Sequence, residues 1–326
     1  MSAMTFREMN VRVFSGEPLP HVFFQPRITS WIEFKRMQGG LDLPEDWKTR
    51  DMREIHRDLG VSMRYLMDYV PPESPIELHF DEAVEQTEEG DQRRRVRTTI
   101  TPYGDLVEEL HFTADGFWRG TEFMVKTAAD LKPFRWLLDH MHYEFNTEKF
   151  ELGSAYMGDL GEPQFYLPKS PYQAMLQSWS SLLPTTYLLM DEKEEMEAIF
   201  HQLDALSDML FEQIADYGKV RIINVGENLH QSLMSPRILS SITFLFMRND
   251  WLICTLRTSF AISMSMGTAK IFCPISIRCL LMDMKLLRRF RREMSPWKKY
   301  AMRSGIRCCW MEFQAFTSCR MYRGRN

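Results

Sequence analysis

QFYLPKSPYQAMLQSWSSLL, residues 164–183, is the stretch that decides the fold class. Its first four residues form a short aromatic and apolar run of strand type, and Lys169-Ser170-Pro171 follow as a loop. Residues 172–183 then place apolar side chains at helical spacing. Towards the C-terminus, residues 191–217 keep the helical period and open with Glu192, Glu194 and Glu195, acids that suit the positive end of a helix dipole. Residues 220–225 (VRIINV) read as the next strand, so strand, helix and strand succeed one another as in parallel βα units.

The same rhythm is expected at the other end. Residues 21–24 (HVFF) predict a buried strand, bounded by Pro18 and Pro20 on one side and by Gln25-Pro26-Arg27 on the other. A helix over 31–37 should stop at Gly39-Gly40, a second over 46–59 should close at Gly60, and 61–67 should form another strand. Between these halves, residues 76–126 alternate in twos, with turns at Glu89-Gly90, Tyr103-Gly104 and Asp115-Gly116. They predict an antiparallel meander inserted into the α/β pattern, in which Arg93-Arg94-Arg95 is either a solvated strand face or an anion site. Residues 128–140 predict a helix behind a Thr127 cap. The expected fold is α/β: a (β/α)8 TIM-type barrel, incomplete, with an antiparallel β insertion at about 76–126.

Loops after parallel strands carry the active site in such folds, so the residues just past each strand are the candidates. They are Gln25 and Arg27, Asp68, Lys169-Ser170-Pro171-Tyr172, and Glu227-Asn228 with His230. An arginine, two acids and a histidine gathered at one mouth would bind a carboxylated ligand and move protons. His140-x-His142-x-Glu144 has a metal-like spacing, but on a helix it splays the side chains, so no metal site is expected there. Glycine-rich phosphate loops, nucleophile elbows and internal repeats are absent from the sequence.

The succession PHVFFQPR, LGVSMRYLMDYVPP, FYLPKSPYQA and VGENLHQSLMSPRI resembles the uroporphyrinogen decarboxylase superfamily, in its decarboxylase-like branch near the cobalamin-dependent methyltransferases. The resemblance spans about residues 20–237. It implies a (β/α)8 barrel with its cleft at the carboxyl ends of the strands and a cofactor-free decarboxylation. Arg27 would hold substrate carboxylates, and Asp68 would polarise the pyrrole nitrogens and stabilise the cationic ring as carbon dioxide leaves. The resemblance together with the strand-end positions suggests Asp68 and Glu227 as catalytic groups and Gln25, Arg27, Ser170, Tyr172, Asn228 and His230 as substrate contacts. Two positions depart from the decarboxylases: Gln177 stands where they carry a tyrosine, and Asn228-Leu229 where they carry aspartate followed by serine or threonine. A corrinoid-dependent methyltransferase using zinc, or a non-catalytic anion-binding barrel, is the alternative. Residues 1–237 hold no counterpart of the His-x-Cys and distant Cys that the methyltransferases use.

Composition divides the chain near Arg237. Residues 1–237 carry 24 Lys+Arg and 40 Asp+Glu, whereas residues 238–326 carry 16 and 4, and all six cysteines lie in the second segment. No zinc spacing or secreted disulfide framework fits those cysteines. The six are Cys254, Cys273, Cys279, Cys308, Cys309 and Cys319. A shift in reading frame explains the break. Met282-Asp283-Met284-Lys285 must be encoded ATG GAY ATG AAR, and reading from each codon's last base gives Gly, then Tyr or His, then Glu. Trp310-Met311-Glu312 gives Asp-Gly in that frame, and the Cys308-Cys309 codons before it give Leu-Leu. Residues 261–267 permit His-Ile-His-Val-Asp-Gly and residues 241–248 permit Tyr-His-Leu-Pro-Phe-Tyr-Glu. These are segments that the resembled branch carries in the same order. Two units are therefore expected: a truncated barrel over 1–237, and an out-of-frame tail of low order over 238–326. The competing reading of the tail is a genuine basic arm for nucleic acid or a membrane surface, with a basic helix over 284–299.

The N-terminus lacks the apolar core of a signal peptide and no apolar run approaches membrane length, so a cytoplasmic protein with no membrane or nucleic-acid partner is expected. Its partner should be a carboxylated small molecule, bound without a cofactor. Residues 1–237 supply about five of eight βα units, which leaves an open sheet edge and predicts an inactive, poorly soluble chain.

Overall fold

The computed structural model describes residues 4–15, 17–19, 21–64, 74–114, 116–227 and 261–264. Among these the chain is mixed α/β, with eight α-helices: α1 (Phe6–Ser15), α2 (Thr29–Met37), α3 (Met52–Leu59), α4 (Leu131–Asp139), α5 (Thr147–Met157), α6 (Pro171–Ala174), α7 (Leu182–Asp191) and α8 (Lys193–Tyr217). Nine strands form three sheets. β1 (Ile76–Phe80) pairs antiparallel with β6 (Met141–Phe145), and β2 (Glu85–Gly90), β3 (Arg94–Ile100), β4 (Leu106–Phe112) and β5 (Trp118–Glu122) make an antiparallel meander. β7 (Tyr166–Leu167), β8 (Ile222–Val225) and β9 (Ala261–Met264) run parallel in that order.

The parallel sheet is positioned by α8. A left-handed residue, Gly218 at φ 70°, ends the helix and lets the chain reverse into β8. Leu210, Phe211 and Ile214 of α8 form one buried core with Phe165, Leu167 and Ile223 of the sheet. Asn224 is the next residue of β8, and its amide reaches Gln164 instead of that core, as strand alternation requires. The first half of α8 packs with α4 and α7 in a second core that includes Phe134, Leu137, Trp179, Leu188 and Ile199. No helix among the described residues is long and apolar enough to cross a membrane.

Several expectations need correcting. Residues 21–24 are not a buried strand: the segment is extended, with Val22 82% and Phe24 62% exposed. Among the described residues, Phe24 O accepts from Ser62 N at 3.1 Å. Residues 61–64 are also unassigned backbone, although Met63 N donates to Leu160 O at 2.9 Å, and 65–67 lie outside the described residues. Apolar content marks both stretches, but a strand also needs neighbours on both edges, and sequence periodicity does not count them.

The helix expected over 46–59 is split. Asp51 caps α3 by accepting from Arg53 N at 2.8 Å, so the chain restarts there after a short 3-10 turn at Glu45–Lys48. The helix expected over 172–183 is likewise interrupted, running through α6 into a π-helical turn at Met175–Trp179 and restarting at α7. The meander forms, but β1 leaves it to pair with β6. His140-x-His142-x-Glu144 therefore continues from a helix end into a strand. Helices α1 and α5 are not among the expected elements. In the meander, Arg94 meets Glu109 at 2.5 Å, and on the opposite face Arg95 meets Glu88 at 3.5 Å while lying over the Trp118 ring, so each of these two arginines is paired within the sheet.

The tail is expected to supply no strand, yet Ala261–Met264 pairs in parallel with β8. An open edge of unpaired backbone groups accepts any short extended apolar stretch, and Ala-Ile-Ser-Met is one. The remainder of 238–326, including the expected basic helix, lies outside the described residues.

One pair on α8 makes folding depend on pH. Asp204 and Asp208 stand one turn apart, and each has a buried Oδ1 without a hydrogen bond. Burial first, then repulsion from Asp208, pushes the Asp204 carboxyl up to about 6. A carboxyl raised in the folded state contributes its full stability below the unfolded value near 3.8, and that contribution is lost as pH rises through about 6. Asp204→Asn is therefore expected to raise stability at pH 7.5 by about 1–2 kcal/mol, discounted for partial solvent access, and by little at pH 4. Urea denaturation at the two pH values measures it; equal gains at both would contradict the assignment.

Candidate functional site at the carboxyl ends of the parallel strands

Two loops meet where β7 and β8 end. Lys169 and Ser170 leave β7, and Gly226 and Glu227 leave β8. Glu227 is fully buried, and one of its carboxylate oxygens accepts from Ser170 N at 2.7 Å while the other accepts from Ser170 Oγ at 2.8 Å. Lys169 Nζ donates to the Gly226 carbonyl at 2.5 Å. The two strand ends are thus clasped by three hydrogen bonds, two of them made by the backbone-and-hydroxyl fork of one serine. Glycine at 226 is part of this: a Cβ there would lie 3.0 Å from the Tyr166 ring and 3.7 Å from Lys169 Nζ.

The charges are displaced by burial. Desolvation raises the Glu227 carboxyl above its usual range, against the pull of the Ser170 hydrogen bonds and Lys169. Desolvation lowers the Lys169 amine, with Glu227 opposing. Tyr172, in the first turn of α6, has a ring only 1% exposed, and burial raises its hydroxyl. Lys169 is half-buried and lines a cleft of about 380 Å³ that the meander closes on its far side. Arg97 and Glu108, joined at 2.9 Å, and Tyr143 line it too. Burial raises the Glu108 carboxyl despite Arg97.

Ser170, Tyr172 and Glu227 thus belong to one locality, but with different roles. Both oxygens of Glu227 are committed to Ser170 and the group has no solvent access, so it positions the strand ends and is not built to touch a ligand. Lys169 and Arg97 are the cations that line the cleft, Arg97 being paired with Glu108. Gln25 acts elsewhere, as a tie between the 21–27 segment and its neighbour. Its Nε2 lies 3.1 Å from Asn10 Oδ1, 3.1 Å from Ser62 Oγ and 2.7 Å from Met63 O. Arg27 is exposed on the approach to α2. Asp68, Asn228 and His230 lie outside the described residues.

Sequence reasoning misses Asn10, which accepts from Gln25, from Glu162 N at 3.1 Å and from Gln164 at 3.2 Å. Nothing local distinguishes that asparagine inside a helix. Asn224 is more legible, as the single amide within the apolar run IINV. Glu108 looks like one more polar residue on an alternating strand, because the cleft over it is made by residues far away in sequence. Compared with family models, curated proteins and solved structures, the chain matches none.

Proposed function

We propose that the chain is built as a uroporphyrinogen decarboxylase-like enzyme acting on a carboxylated small molecule, with the ligand held in the cleft beside Lys169. The observation that carries this reading is a half-buried lysine clasped at the carboxyl ends of two adjacent parallel strands and opening on a cleft with Arg97. The consecutive strands β7 and β8, joined through α6 to α8, are parallel neighbours, as successive strands of a (β/α)8 barrel are, and this supports the proposed architecture. A ligand carboxylate arriving at Lys169 would offset the burial that lowers the amine and favour its charged form.

In the proposed reaction Arg27 pairs with ligand carboxylates, and a proton added to a ring carbon gives the cation that Asp68 stabilises. The bond between the methylene and carboxylate carbons then breaks, its electron pair neutralises the ring cation, carbon dioxide leaves, and transfer of a proton to the exocyclic carbon with loss of the ring proton gives the methyl group. Glu227 keeps Ser170 and Lys169 in place throughout.

Binding of the octacarboxylate uroporphyrin, followed by fluorescence quenching on the full chain, tests the reading. Lys169→Ala is expected to weaken binding about tenfold, the scale of one charge-assisted pair. Lys169→Arg is expected to restore part of it. Binding that is unchanged in both Lys169→Ala and Arg27→Ala would sink the site. For a form of the protein that turns over, loss of carbon dioxide release in Asp68→Asn with binding intact supports catalysis, and unaltered release refutes that role.

A further inference from the structure

The sequence places His142 and Glu144 two residues apart, a spacing that a strand turns to one face. Their partners on β1 complete a cluster. The antiparallel register sets Glu77 opposite Glu144 and His79 opposite His142, while Ile76, Leu78 and Phe80 alternate with them and, like Met141, Tyr143 and Phe145, take the other face. Two glutamates directly across from each other repel, and such a pair destabilises a ribbon unless a cation lies between them.

His79 occupies the diagonal position between those acids. Its Nε2 is 3.2 Å from Glu77 Oε2 and 3.2 Å from Glu144 Oε2. That nitrogen is shut off from solvent and lies equally far from both carboxylates, so it and the two acids converge on one point. The three ligand atoms lie within 4.8 Å of one another. A tetrahedral zinc ion with bonds of about 2.1 Å holds its ligand atoms roughly 3.4 Å apart, so two of the three edges are already of the required length. The third closes by a small rotation of the Glu144 side chain, which is 54% exposed.

The surroundings hold this geometry. The second oxygen of Glu77 accepts from Lys149 Nζ at 2.6 Å and from Asn146 Nδ2 at 3.1 Å, which orients the carboxylate and leaves its first oxygen towards His79. The His142 ring stacks on the His79 ring with centroids 5.4 Å apart and 27° between planes. Supporting contacts of this kind are what fixes ligand orientation in metal sites.

We propose that Glu77, His79 and Glu144 form a binding site for a divalent first-row metal ion, zinc in the first instance, on the outer face of the β1–β6 ribbon. One imidazole and two carboxylates suit zinc, and water completes the coordination. The ion joins His79 Nε2 to both carboxylates and offsets the repulsion between the two acids. This site stands apart from the Lys169 cleft and does not depend on the decarboxylase reading: Leu78, Phe80 and Tyr143 from the ribbon's opposite face line that cleft.

The test is equilibrium dialysis of Zn²⁺ against the full chain with its six cysteines replaced by serine, so that thiols do not compete. One equivalent bound at micromolar concentration is expected, with an affinity loss of at least a hundredfold in His79→Ala and at least tenfold in Glu144→Gln. Glu82→Gln, an exposed carboxylate in the turn after β1, should bind as the parent does. Substitution by Co²⁺ should give the visible bands of nitrogen and oxygen ligation, and these should disappear in His79→Ala. Far-UV circular dichroism checks folding. Should His79→Ala fail to fold, Glu144→Gln decides the matter, because it removes a repulsive exposed charge and is not expected to unfold the ribbon. No stoichiometric binding, or equal affinity in parent and Glu144→Gln, overturns the proposal.

Discussion

Phe165→Ala is expected to cost about 3–5 kcal/mol of folding stability, the scale for deleting a fully buried aromatic ring. The ring is 1% exposed, at the junction of β7 and α8, with Phe145 and Phe150 at centroid distances of 5.6 and 5.9 Å. Helix and sheet cannot collapse into the space, because α8 is held along its length by two cores. Phe24→Ala is the paired measurement. With Phe24 62% exposed, the expected loss is below about 0.5 kcal/mol, the scale of ordinary surface changes. In a closed barrel residues 21–24 would form a buried strand and the two substitutions would cost alike. Urea denaturation of both variants, followed by circular dichroism and tryptophan fluorescence, distinguishes the outcomes; equal losses would mean that the 21–24 segment is covered in solution.

The contrast between these two phenylalanines shows what the sequence conveys. Phe165 and Ile223 sit in runs that alternate with or adjoin helices of clear period, so their burial needs only local pattern and the closing Gly218. Phe24 sits in an equally apolar run, but its burial depends on strands that must arrive from elsewhere. The same distinction separates Ser170 from Lys169. Both are visible as residues after a strand, whereas the Ser170–Glu227 fork joins residues 57 positions apart and the cleft over Lys169 is finished by the meander. His142 and Glu144 are visible too. Their spacing excludes a metal site only on a helix, and the strand partner that turns the spacing into a cluster lies on β1, more than sixty residues earlier.

A gene recoded in the alternative frame after the codon for Arg237 is expected to yield a chain that associates less than the present one, with a gain of several degrees in thermal midpoint. The physical ground is the apolar surface near the N-terminus. Val22, Phe24, Trp31, Met37 and Leu41 are 82%, 62%, 48%, 55% and 66% exposed, more large apolar surface in one stretch of chain than a stable monomer usually leaves uncovered. In a (β/α)8 barrel the first strand pairs with the last, so the residues that would cover Val22 and Phe24 belong to the final third of the chain. Burying each of those two side chains stabilises by about 1.5–3 kcal/mol before the entropy of ordering is subtracted. Read from each codon's last base, residues 241–248 and 261–267 permit, and 282–285 and 308–312 give, the segments on which the proposed decarboxylase-like reading rests. Light scattering on both chains, with thermal scans, makes the comparison. Monomeric behaviour and a cooperative transition in the chain as it stands, with no gain on recoding, would mean that residues 238–326 already seal the sheet and that the basic, cysteine-bearing composition of that segment is its own.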